Sequence, residues 1–437
     1  MVVYCSNLLS SRCFSSSSVV IKGWVQTVRI HKNVAFLQMH DGYSSMQIVV
    51  DRPSLAKNIH TGSSVEVCGI LKTLAPCKSE VHASSISVIG ASPPQDYPLQ
   101  KKIHTNEFLR SIPHLRCRSS KFQKMLHTRS ILHKSLSDFF HNEGFHYFHP
   151  PLSTSSNCEG GSAVFSMTPK IFGPNEVFLT VSSQLHLEAA AVGSLNRVWT
   201  LSPAFRAESS DTSRHLAEFW MLEAEASFVD SIEILADIIQ RSVKTSAKTL
   251  LSSKVFDQSK DDLEHLLALE HGVFEIICYS QAIEILSNLK EEAGASVPIK
   301  WGDSLSFEQE QALLDFMILK NPQVIGIFIK EYPEHGKPFY MKRNSNIVLN
   351  FDLIVKGVGE LAGGSIREDS LNVLHETIAK LGINQQPLQW YLDTRKYGSV
   401  PHGGFGIGFD RLVQWFLRIP NIRDAILFPR ATGALFA

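Results

Sequence analysis

Apolar and polar positions alternate in short runs along the first part of the chain. The runs at 19–30, 34–39 and 46–51 are rich in β-branched and apolar residues, and 65–71 and 86–89 continue the pattern. The pair Asp41-Gly42 is a turn signal between the second and third runs. Five short strands in one region favour a small closed barrel. The pattern alone leaves another small β-sandwich open.

The periodicity changes after a proline-rich connector. Residues 92–98 read Ser-Pro-Pro-Gln-Asp-Tyr-Pro, which breaks regular structure, and a polar, basic linker follows up to residue 120. Apolar residues then recur at helical spacing from 122 to 140, and Gly144 is a stop signal. We therefore expect a long amphipathic helix that leads into an aromatic strand at 145–148.

The rest of the chain mixes both periodicities. Residues 176–228 predict strands with helical pieces, and residues 231–320 predict mainly helices. The strand pattern returns at 347–355 and at 405–409. No internal repeat interrupts this order, so the chain is expected to hold a small β domain and a larger mixed domain.

Composition narrows the class of protein. The chain has 437 residues, of which 44% are hydrophobic, so two or three domains with large cores are expected. Lys+Arg and Asp+Glu are both 42, which excludes nucleic-acid binding by bulk charge but leaves a local basic face possible. No apolar run approaches the ~18 residues of a membrane helix, and we expect no membrane partner. Seven scattered cysteines without a C-x-x-C pair argue against a disulfide framework.

The first residues differ from the rest in composition. Residues 1–18 contain seven serines, Arg12 and no acidic residue. A serine-rich, acid-free segment with a basic residue is typical of a mitochondrial leader, and a disordered tail is the alternative. We therefore predict a leader at 1–18 and the mitochondrial matrix as the location, with the cytoplasm as the alternative.

Three clusters of charged residues and glycines indicate chemistry, and the first lies between 203 and 225. It contains Arg206, Glu208, Arg214, His215, Glu218, Phe219, Glu223 and Glu225. Charges on the inner faces of strands are costly unless they are paired or used. Guanidinium groups suit polyphosphate because they offer a planar fork of donors. A structural ladder of ion pairs is the alternative.

The second cluster combines two acids with two glycines. Asp352 and Glu360 supply hard oxygen ligands suited to Mg²⁺ that bridges phosphates. Gly363 and Gly364 would let a ligand approach the backbone closely. A strand-turn-strand with exposed acids is the alternative.

The third cluster is the glycine-rich segment 403–411. Its spacing does not match G-x-G-x-x-G, and no acid follows about 20 residues later in a second strand, so a dinucleotide-binding turn is excluded. A glycine-rich strand that enters a helix near Phe409, with Arg411 in the first turn, fits a nucleotide phosphate better.

Taken together, the three clusters resemble the signature motifs of class II aminoacyl-tRNA synthetases. The long helix with 144–151 resembles the first motif, 205–219 the second and 404–411 the third. Behind a small β-barrel, this order is similar to the aspartate/asparagine/lysine subgroup, which has an N-terminal OB-fold.

The resemblance implies an α+β fold with a defined order of domains. An OB-fold anticodon-binding barrel is expected at 19–97 and a linker at 98–120. A class II catalytic domain, with an antiparallel sheet flanked by helices, is expected at 121–437, and it would carry a mainly helical insertion at about 230–345. The family builds a dimer interface from the helix of its first motif, so a homodimer is expected.

Members of this family make an aminoacyl-adenylate from ATP and transfer the acyl group to tRNA. The resemblance implies two catalytic residues: Arg206 on the α-phosphate, and Arg411 on adenine and the γ-phosphate. The implied ATP-binding set is Arg206, Glu208, Arg214, His215, Phe219, Glu360 and Arg411. Asp352 and Glu360 would bind Mg²⁺.

The amino-acid site favours asparagine within the subgroup. By resemblance, the amino acid contacts Glu159, Gln184, Glu188, Glu223 and Arg367. Bacterial-type aspartyl enzymes carry a lysine where this chain has Leu187. We expect Glu188 to accept from a carboxamide NH₂ while Arg367 donates to its oxygen, and Glu188 would repel an aspartate side chain.

The partners expected are asparagine and tRNA. In the barrel, Phe36 and Gln47 match family positions that contact anticodon bases, and Arg29 belongs to a basic strand beside them. Two alternatives stay open: a ligase for aspartate or for both amino acids, and a non-catalytic paralogue that binds tRNA.

Overall fold

The computed structural model describes residues 18–75, 78–155, 163–173, 176–210, 212–253, 259–293 and 299–435. The chain divides into two compact units, with the boundary between Gln123 and Lys124. Within these ranges, no helix combines the length and the apolar character that crossing a membrane requires.

The first unit contains a closed five-stranded barrel. Its strands are β1 (Ser18–Ile30), β2 (Ala35–His40), β3 (Ser45–Val50), β4 (Ser64–Ala75) and β5 (Lys78–Gly90). They close in the order β1-β2-β3-β5-β4, with β3 and β5 parallel and the other described pairs antiparallel. Alternate residues such as Leu37 and Ile48 fill the barrel core. The barrel predicted from the strand pattern is confirmed.

Short helices connect the barrel to the rest of the chain. They are α1 (Asn106–Ser111) and α2 (Pro113–Arg116), followed by the long α3 (Ser120–Asn142). The side chain of Thr105 accepts a hydrogen bond from the backbone N–H of Phe108, which caps α1. Gly144, with φ of +79°, follows α3, as the stop signal in the sequence predicted.

The second unit is built on a sheet of ten described strands. The strands of this sheet are β6 (His146–Tyr147), β10 (Arg197–Phe205), β11 (Glu218–Ser227), β12 (Val273–Cys278), β13 (Val324–Lys330), β16 (Asn350–Val355), β17 (Gly359–Ile366), β18 (His402–Gly408), β19 (Arg430–Ala431) and β20 (Ala434–Leu435). Their order in the sheet is β12-β13-β16-β17-β18-β11-β10-β6, and β19 and β20 extend from β11. The middle of the sheet is antiparallel, and β12 with β13 and β6 with β10 are parallel.

Two small sheets and eight further α-helices lie in the described part of this unit. The small sheets contain β7 (Ser153–Thr154), β8 (Ser166–Met167) and β9 (Val177–Leu179), and β14 (Arg343–Asn344) with β15 (Ile347–Val348). The helices are α4 (Gln184–Ala190), α5 (Ile232–Ser252), α6 (Lys260–His271), α7 (Tyr279–Ala293), α8 (Phe307–Lys320), α9 (Leu371–Lys380), α10 (Gln389–Lys396) and α11 (Phe409–Leu417). The predicted mixed fold, a largely antiparallel sheet with helices, is confirmed.

The segment at about 230–345 contains strands as well as the predicted helices. Helices α5, α6, α7 and α8 lie in it, but β12 and β13 extend the main sheet beyond β16. Their sequences, Val-Phe-Glu-Ile-Ile-Cys and Val-Ile-Gly-Ile-Phe-Ile-Lys, are rich in β-branched and aromatic residues. The segment is thus partly continuous with the main sheet.

Candidate active site

A cavity of about 460 Å³ opens over the face of β11, β17 and β18. Among the residues expected at the site, its wall contains Gln184, Arg206, Glu208, Arg214, His215, Phe219, Glu223, Asp352, Glu360, Arg367 and Arg411. Glu159 lies outside the described residues, and Glu188 lies behind the wall. Three segments that are far apart in the sequence therefore meet in one place.

The alternation of β11 gives the cavity its charged wall. Successive side chains of a strand point to opposite faces. The cavity is lined by Phe219, Met221, Glu223 and Glu225, while Leu222 and Ala224 on the other face are buried in the core. The aromatic ring at the start of the strand and the carboxylates at its end thus share one side.

Glycines on β17 and β18 make the floor of the cavity. Across the sheet, Glu225 pairs with Gly404, and Glu223 pairs with Gly406, which pairs with Gly363. A Cβ atom at Gly404 would lie 2.1 Å from the Cδ of Glu225, which is too close for any side chain. The carboxylate of Glu225 therefore lies over bare backbone, and this contact explains why position 404 of the glycine-rich segment is a glycine.

Glu225 and Arg367 form a buried ion pair in the cavity wall. The Nη2 of Arg367 donates to Oε1 of Glu225 at 2.5 Å and its Nε donates to Oε2 at 3.3 Å, while Nη1 donates to Ser365 at 2.7 Å. Burial raises the pKa of Glu225, and Glu188 and Glu223 raise it further, whereas the guanidinium of Arg367 lowers the pKa and, through its two hydrogen bonds, favours the carboxylate form. Sequence reasoning grouped Glu225 with the first cluster but gave it no role.

Glu188 requires a correction, because it does not reach the cavity. Its side chain is fully buried, and its carboxylate accepts hydrogen bonds from Gln184, Tyr391 and Arg395. Helix α4 turns Gln184 toward the cavity and places Glu188, one turn later, behind it. Leu187 is also fully buried, in an apolar cluster. The expected contact between Glu188 and the substrate amide is therefore not what the structure shows.

Glu223 lies beside the start of α4. It accepts hydrogen bonds from the hydroxyl of Ser182 and from the backbone N–H of Ser183 at 2.9 Å. It is 4% exposed, and it lines the cavity next to Gln184. A fixed carboxylate at this position can hold a substrate ammonium.

Basic side chains gather at the other end of the cavity. The guanidinium of Arg206 lies 5.6 Å from the ring centre of Phe219. Arg411, in the first turn of α11, donates to the backbone oxygen of Glu360 at 2.5 Å. Burial lowers the pKa of His215, and Arg411 lowers it further, so this imidazole is mainly neutral at pH 7. The arrangement can bind a polyphosphate between the arginines.

Asp352 and Glu360 face one point on the glycine floor. A Cβ atom at Gly363 would lie 3.3 Å from an oxygen of each carboxylate. Burial raises the pKa of Asp352 to about 6, and the negative charge of Glu360 adds to this effect. Two carboxylates that face one point suit Mg²⁺, which usually binds one or two carboxylates together with substrate phosphates.

Helix α8 supplies two cavity neighbours that sequence reasoning missed. The guanidinium of Arg214 lies 3.9 Å from the ring centre of Phe307. Burial raises the pKa of Glu310 to about 7, and Glu360 and Asp352 raise it further, so Glu310 belongs to the same acidic group. No local motif marks these residues, because they come from the segment with the weakest pattern.

The three residues expected to read tRNA lie away from the core of the barrel. Arg29 pairs with Phe36 across β1 and β2, and Phe36 is half-buried while its neighbours Ala35 and Leu37 are fully buried. On β3, the amide of Gln47 donates to Glu80 at 3.1 Å. They occupy the outer side of neighbouring strands.

The pair Asp352 and Glu360 gives a test of pH-dependent stability. In the folded protein the pKa of Asp352, about 6, exceeds the ordinary value, so the folded state binds this proton more tightly and loses stability as the pH rises from about 4 to about 6. Without Mg²⁺ and ATP, we expect Asp352→Asn to raise the melting temperature at pH 8, with a smaller gain at pH 4.5.

Thermal unfolding of the wild type and the variant at both pH values measures this effect. The matched control is Asp138→Asn, which neutralises a carboxylate that is 60% exposed and paired with Lys134, and it should not raise the melting temperature at pH 8. If Asp352→Asn were no more stable than the wild type at pH 8, the ionised carboxylate of Asp352 would not destabilise the folded state, which would contradict its raised pKa.

Comparison with known proteins gives two family matches. Residues 105–432 match the family described as tRNA synthetases class II (D, K and N). Residues 19–89 match the OB-fold nucleic acid binding domain. The OB-fold match covers the barrel, and the synthetase match covers the part of the chain that forms the mixed sheet.

Similar proteins extend over nearly the whole chain. An asparaginyl-tRNA synthetase from Mus musculus is 41% identical over 441 residues, covering 95% of this chain and 90% of the mouse protein. A mitochondrial asparagine–tRNA ligase from Schizosaccharomyces pombe is 40% identical over 96% of this chain and 95% of its own length. The crystal structure of asparaginyl-tRNA synthetase from Pyrococcus horikoshii complexed with asparaginyl-adenylate is 34% identical, with a TM-score of 0.89 over 100% of this chain and 99% of that one.

Proposed function

This chain belongs to the class II tRNA synthetases for aspartate, lysine and asparagine, and we propose that within this family it is an asparagine–tRNA ligase. It activates asparagine with ATP to asparaginyl-adenylate and transfers the asparaginyl group to tRNA. The observation that carries the choice of asparagine is the pair of Glu225 and Arg367 in the cavity wall.

The pair supplies one acceptor and one donor, as a carboxamide requires. The oxygens of Glu225 can accept from the substrate NH₂, and the guanidinium of Arg367 can donate to the substrate oxygen. An aspartate side chain would bring a second carboxylate against Glu225 in a buried site. Since a site with dedicated polar partners can reject the wrong group by several powers of ten, this pair favours asparagine over aspartate.

The remaining cavity residues position ATP and the α-amino group. Glu223 and Gln184 hold the ammonium, which points the substrate carboxylate toward the α-phosphate. Arg206 neutralises charge on that phosphate as the bond to pyrophosphate breaks, and Arg214 and Arg411 hold the β- and γ-phosphates. Rate enhancement then comes mainly from positioning and charge neutralisation, as in other phosphoryl-group reactions.

Further contacts with ATP follow from the wall of the cavity. Phe219 stacks on adenine, and Glu208 and His215 lie beside the nucleotide in this proposal. Asp352 and Glu360 would hold Mg²⁺, which would neutralise phosphate charge when bound. The proposed roles require no general base among the described residues.

The barrel is proposed to read the anticodon of tRNA. Phe36 offers a half-buried ring for base stacking, Gln47 offers hydrogen bonds, and Arg29 attracts the phosphate backbone. The match of residues 19–89 to a nucleic-acid-binding OB-fold supports this use of the barrel surface.

Two further proposals concern assembly and location. The chain is proposed to form a homodimer through α3, whose position resembles the first motif of the family. The protein is proposed to act in mitochondria, a location supported by the mitochondrial relative from Schizosaccharomyces pombe and by the leader-like composition of residues 1–18. Residues 1–17 lie outside the described part of the structure.

ATP–pyrophosphate exchange tests the function directly, because it measures adenylate formation without tRNA. We expect strong exchange with asparagine and exchange at least about 10²-fold weaker with aspartate at equal concentration. Comparable exchange with both amino acids would indicate dual specificity, and exchange with aspartate alone would reverse the assignment. No exchange with either amino acid, in a protein that still binds tRNA, would favour a non-catalytic paralogue.

A further inference from the structure

We propose that Glu188 is a positioning residue of the amino-acid site, which fixes the orientation of Gln184 and holds Arg367 in place without touching the substrate. The inference rests on the proposed function, because it assigns Gln184 and Arg367 to the bound asparagine. It replaces the direct contact that the sequence suggested with a role behind the wall of the cavity.

The two oxygens of Glu188 serve different neighbours. Oε1 faces the cavity side, where the Nε2 of Gln184 donates to it at 2.8 Å and the Nε of Arg367 lies 3.8 Å away. Oε2 faces the interior, where it accepts from the hydroxyl of Tyr391 at 2.7 Å and from Nη2 of Arg395. Glu188 therefore connects two cavity residues to α10.

The interior side of Glu188 is held by a third donor. The Nε2 of His402 lies 3.2 Å from Oε2, and its Nδ1 lies 2.7 Å from the backbone oxygen of Val400. Each ring nitrogen of His402 thus faces an oxygen, and a hydrogen atom on Nε2 lets this side chain donate to Oε2 of Glu188. Three donors on one oxygen leave the carboxylate a single position.

The contact with Oε1 decides which end of the Gln184 amide faces the cavity. Because Nε2 of Gln184 donates to Glu188, the amide oxygen of Gln184 is left for the substrate. That oxygen accepts from the α-ammonium, together with Glu223. If the amide were reversed, its NH₂ would meet the ammonium, and two donors would oppose each other.

The charge of Glu188 is stable in this environment. Burial alone would raise the pKa of Glu188, but Arg395, His402 and Arg367 outweigh burial and hold the pKa well below its ordinary value. The carboxylate therefore remains an acceptor throughout the working pH range, and the orientation of Gln184 does not depend on pH.

Glu188→Gln is the first test. Tyr391, Arg395 and His402 all face the interior atom of the side chain at 188, so that atom must remain an oxygen. The new NH₂ group therefore faces the NH₂ group of Gln184, and two donors oppose each other. Gln184 must then turn its NH₂ toward the substrate. We expect the KM for asparagine in ATP–pyrophosphate exchange to rise about 10- to 100-fold, while the KM for ATP stays within about twofold of the wild type.

A swap of the two residues supplies the rescue. In Glu188→Gln with Gln184→Glu, the new amide at 188 donates to the carboxylate at 184, which still offers an oxygen to the ammonium. We expect the KM for asparagine of this double variant to fall at least about fivefold below that of Glu188→Gln. Gln184→Glu alone places two carboxylates where the structure has a hydrogen bond of 2.8 Å, and it should bind asparagine more weakly than the double variant.

Glu368→Gln is the matched control. It makes the same chemical change in a glutamate that is 4% exposed and that accepts a hydrogen bond from the backbone of Ser370 at 3.0 Å. Its KM for asparagine should stay within about twofold of the wild type. Melting temperatures of all variants separate loss of folding from loss of binding.

Three outcomes overturn the inference: an unchanged KM for asparagine in folded Glu188→Gln, an equal rise in the KM values for asparagine and ATP, or a double variant no better than Gln184→Glu. The comparison of the double variant with Gln184→Glu tests the role of Glu188 even if Glu188→Gln alone does not fold. ATP–pyrophosphate exchange of the wild type with asparagine is measured first. If the wild type shows no exchange, the proposed function is wrong. If the wild type shows normal exchange and one of the three outcomes is found, only the role of Glu188 is wrong.

Discussion

Arg206→Ala is expected to lower ATP–pyrophosphate exchange by at least about 10²–10³-fold, which is typical of removing one donor that stabilises charge in a transition state. Arg206 lies at the phosphate end of the cavity with its guanidinium 5.6 Å from the ring centre of Phe219. In the proposed geometry it faces the α-phosphate, where negative charge accumulates as asparagine attacks. Alanine keeps the backbone at this position but removes the guanidinium that faces the α-phosphate.

The loss should appear mainly in kcat, because the interaction strengthens as the reaction proceeds. Circular dichroism and the melting temperature should remain close to the wild type. Arg52→Ala is the matched control: Arg52 is exposed, lies in the barrel and donates to the backbone of Ser84, so exchange should be unchanged. Near-normal exchange in Arg206→Ala would refute the role assigned to this residue.

Gly404→Ala is expected to reduce kcat/KM for asparagine by about 10²-fold or more, which matches the cost of disrupting a buried, hydrogen-bonded charge pair. An added Cβ would lie 2.1 to 2.3 Å from the carboxylate atoms of Glu225. Glu225 must move, and the two hydrogen bonds from Arg367 then break. The amide-binding pair is lost although neither of its members has been changed.

Exchange kinetics with separate titrations of asparagine and ATP measure this effect. The KM for asparagine should rise strongly, while the KM for ATP should change little, since the change lies at the amino-acid end. Gly193→Ala is the matched control, because a Cβ atom there has no neighbour within 4 Å. If Gly404→Ala retained wild-type kcat/KM for asparagine, the position of Glu225 over the bare backbone would not matter for binding.

Much of the fold followed from local patterns. Five short apolar runs predicted the barrel, and the change to helical spacing predicted α3 with its stop at Gly144. The three charged clusters predicted the cavity because each one lies on a separate element that the sheet brings together. Chemistry that depends on residue type within one strand or turn was thus visible in the sequence.

Features that depend on the direction of a side chain or on contacts between distant parts of the chain were not visible in the sequence. The sequence showed a glutamate one turn after Gln184, but only packing shows that Glu188 faces inward to Tyr391 and Arg395. Glu225 could have been found from its alternation with Glu223, since both lie on the same side of β11. The contributions of Phe307 and Glu310 require the tertiary arrangement of α8, which no spacing reveals.

The bare floor of the cavity limits how this enzyme can change. At Gly404 and Gly406 a Cβ atom would meet Glu225 and Met221 of the cavity wall, so any substitution there adds atoms to the site. Mutation can therefore make the binding space smaller but cannot deepen it through these positions. New substrate preferences, whether they arise by evolution or by engineering, must come from exchanging polar groups on the walls among side chains of similar size. Inhibitor design meets the same boundary, because the floor offers only peptide groups that resistance mutations cannot easily remove.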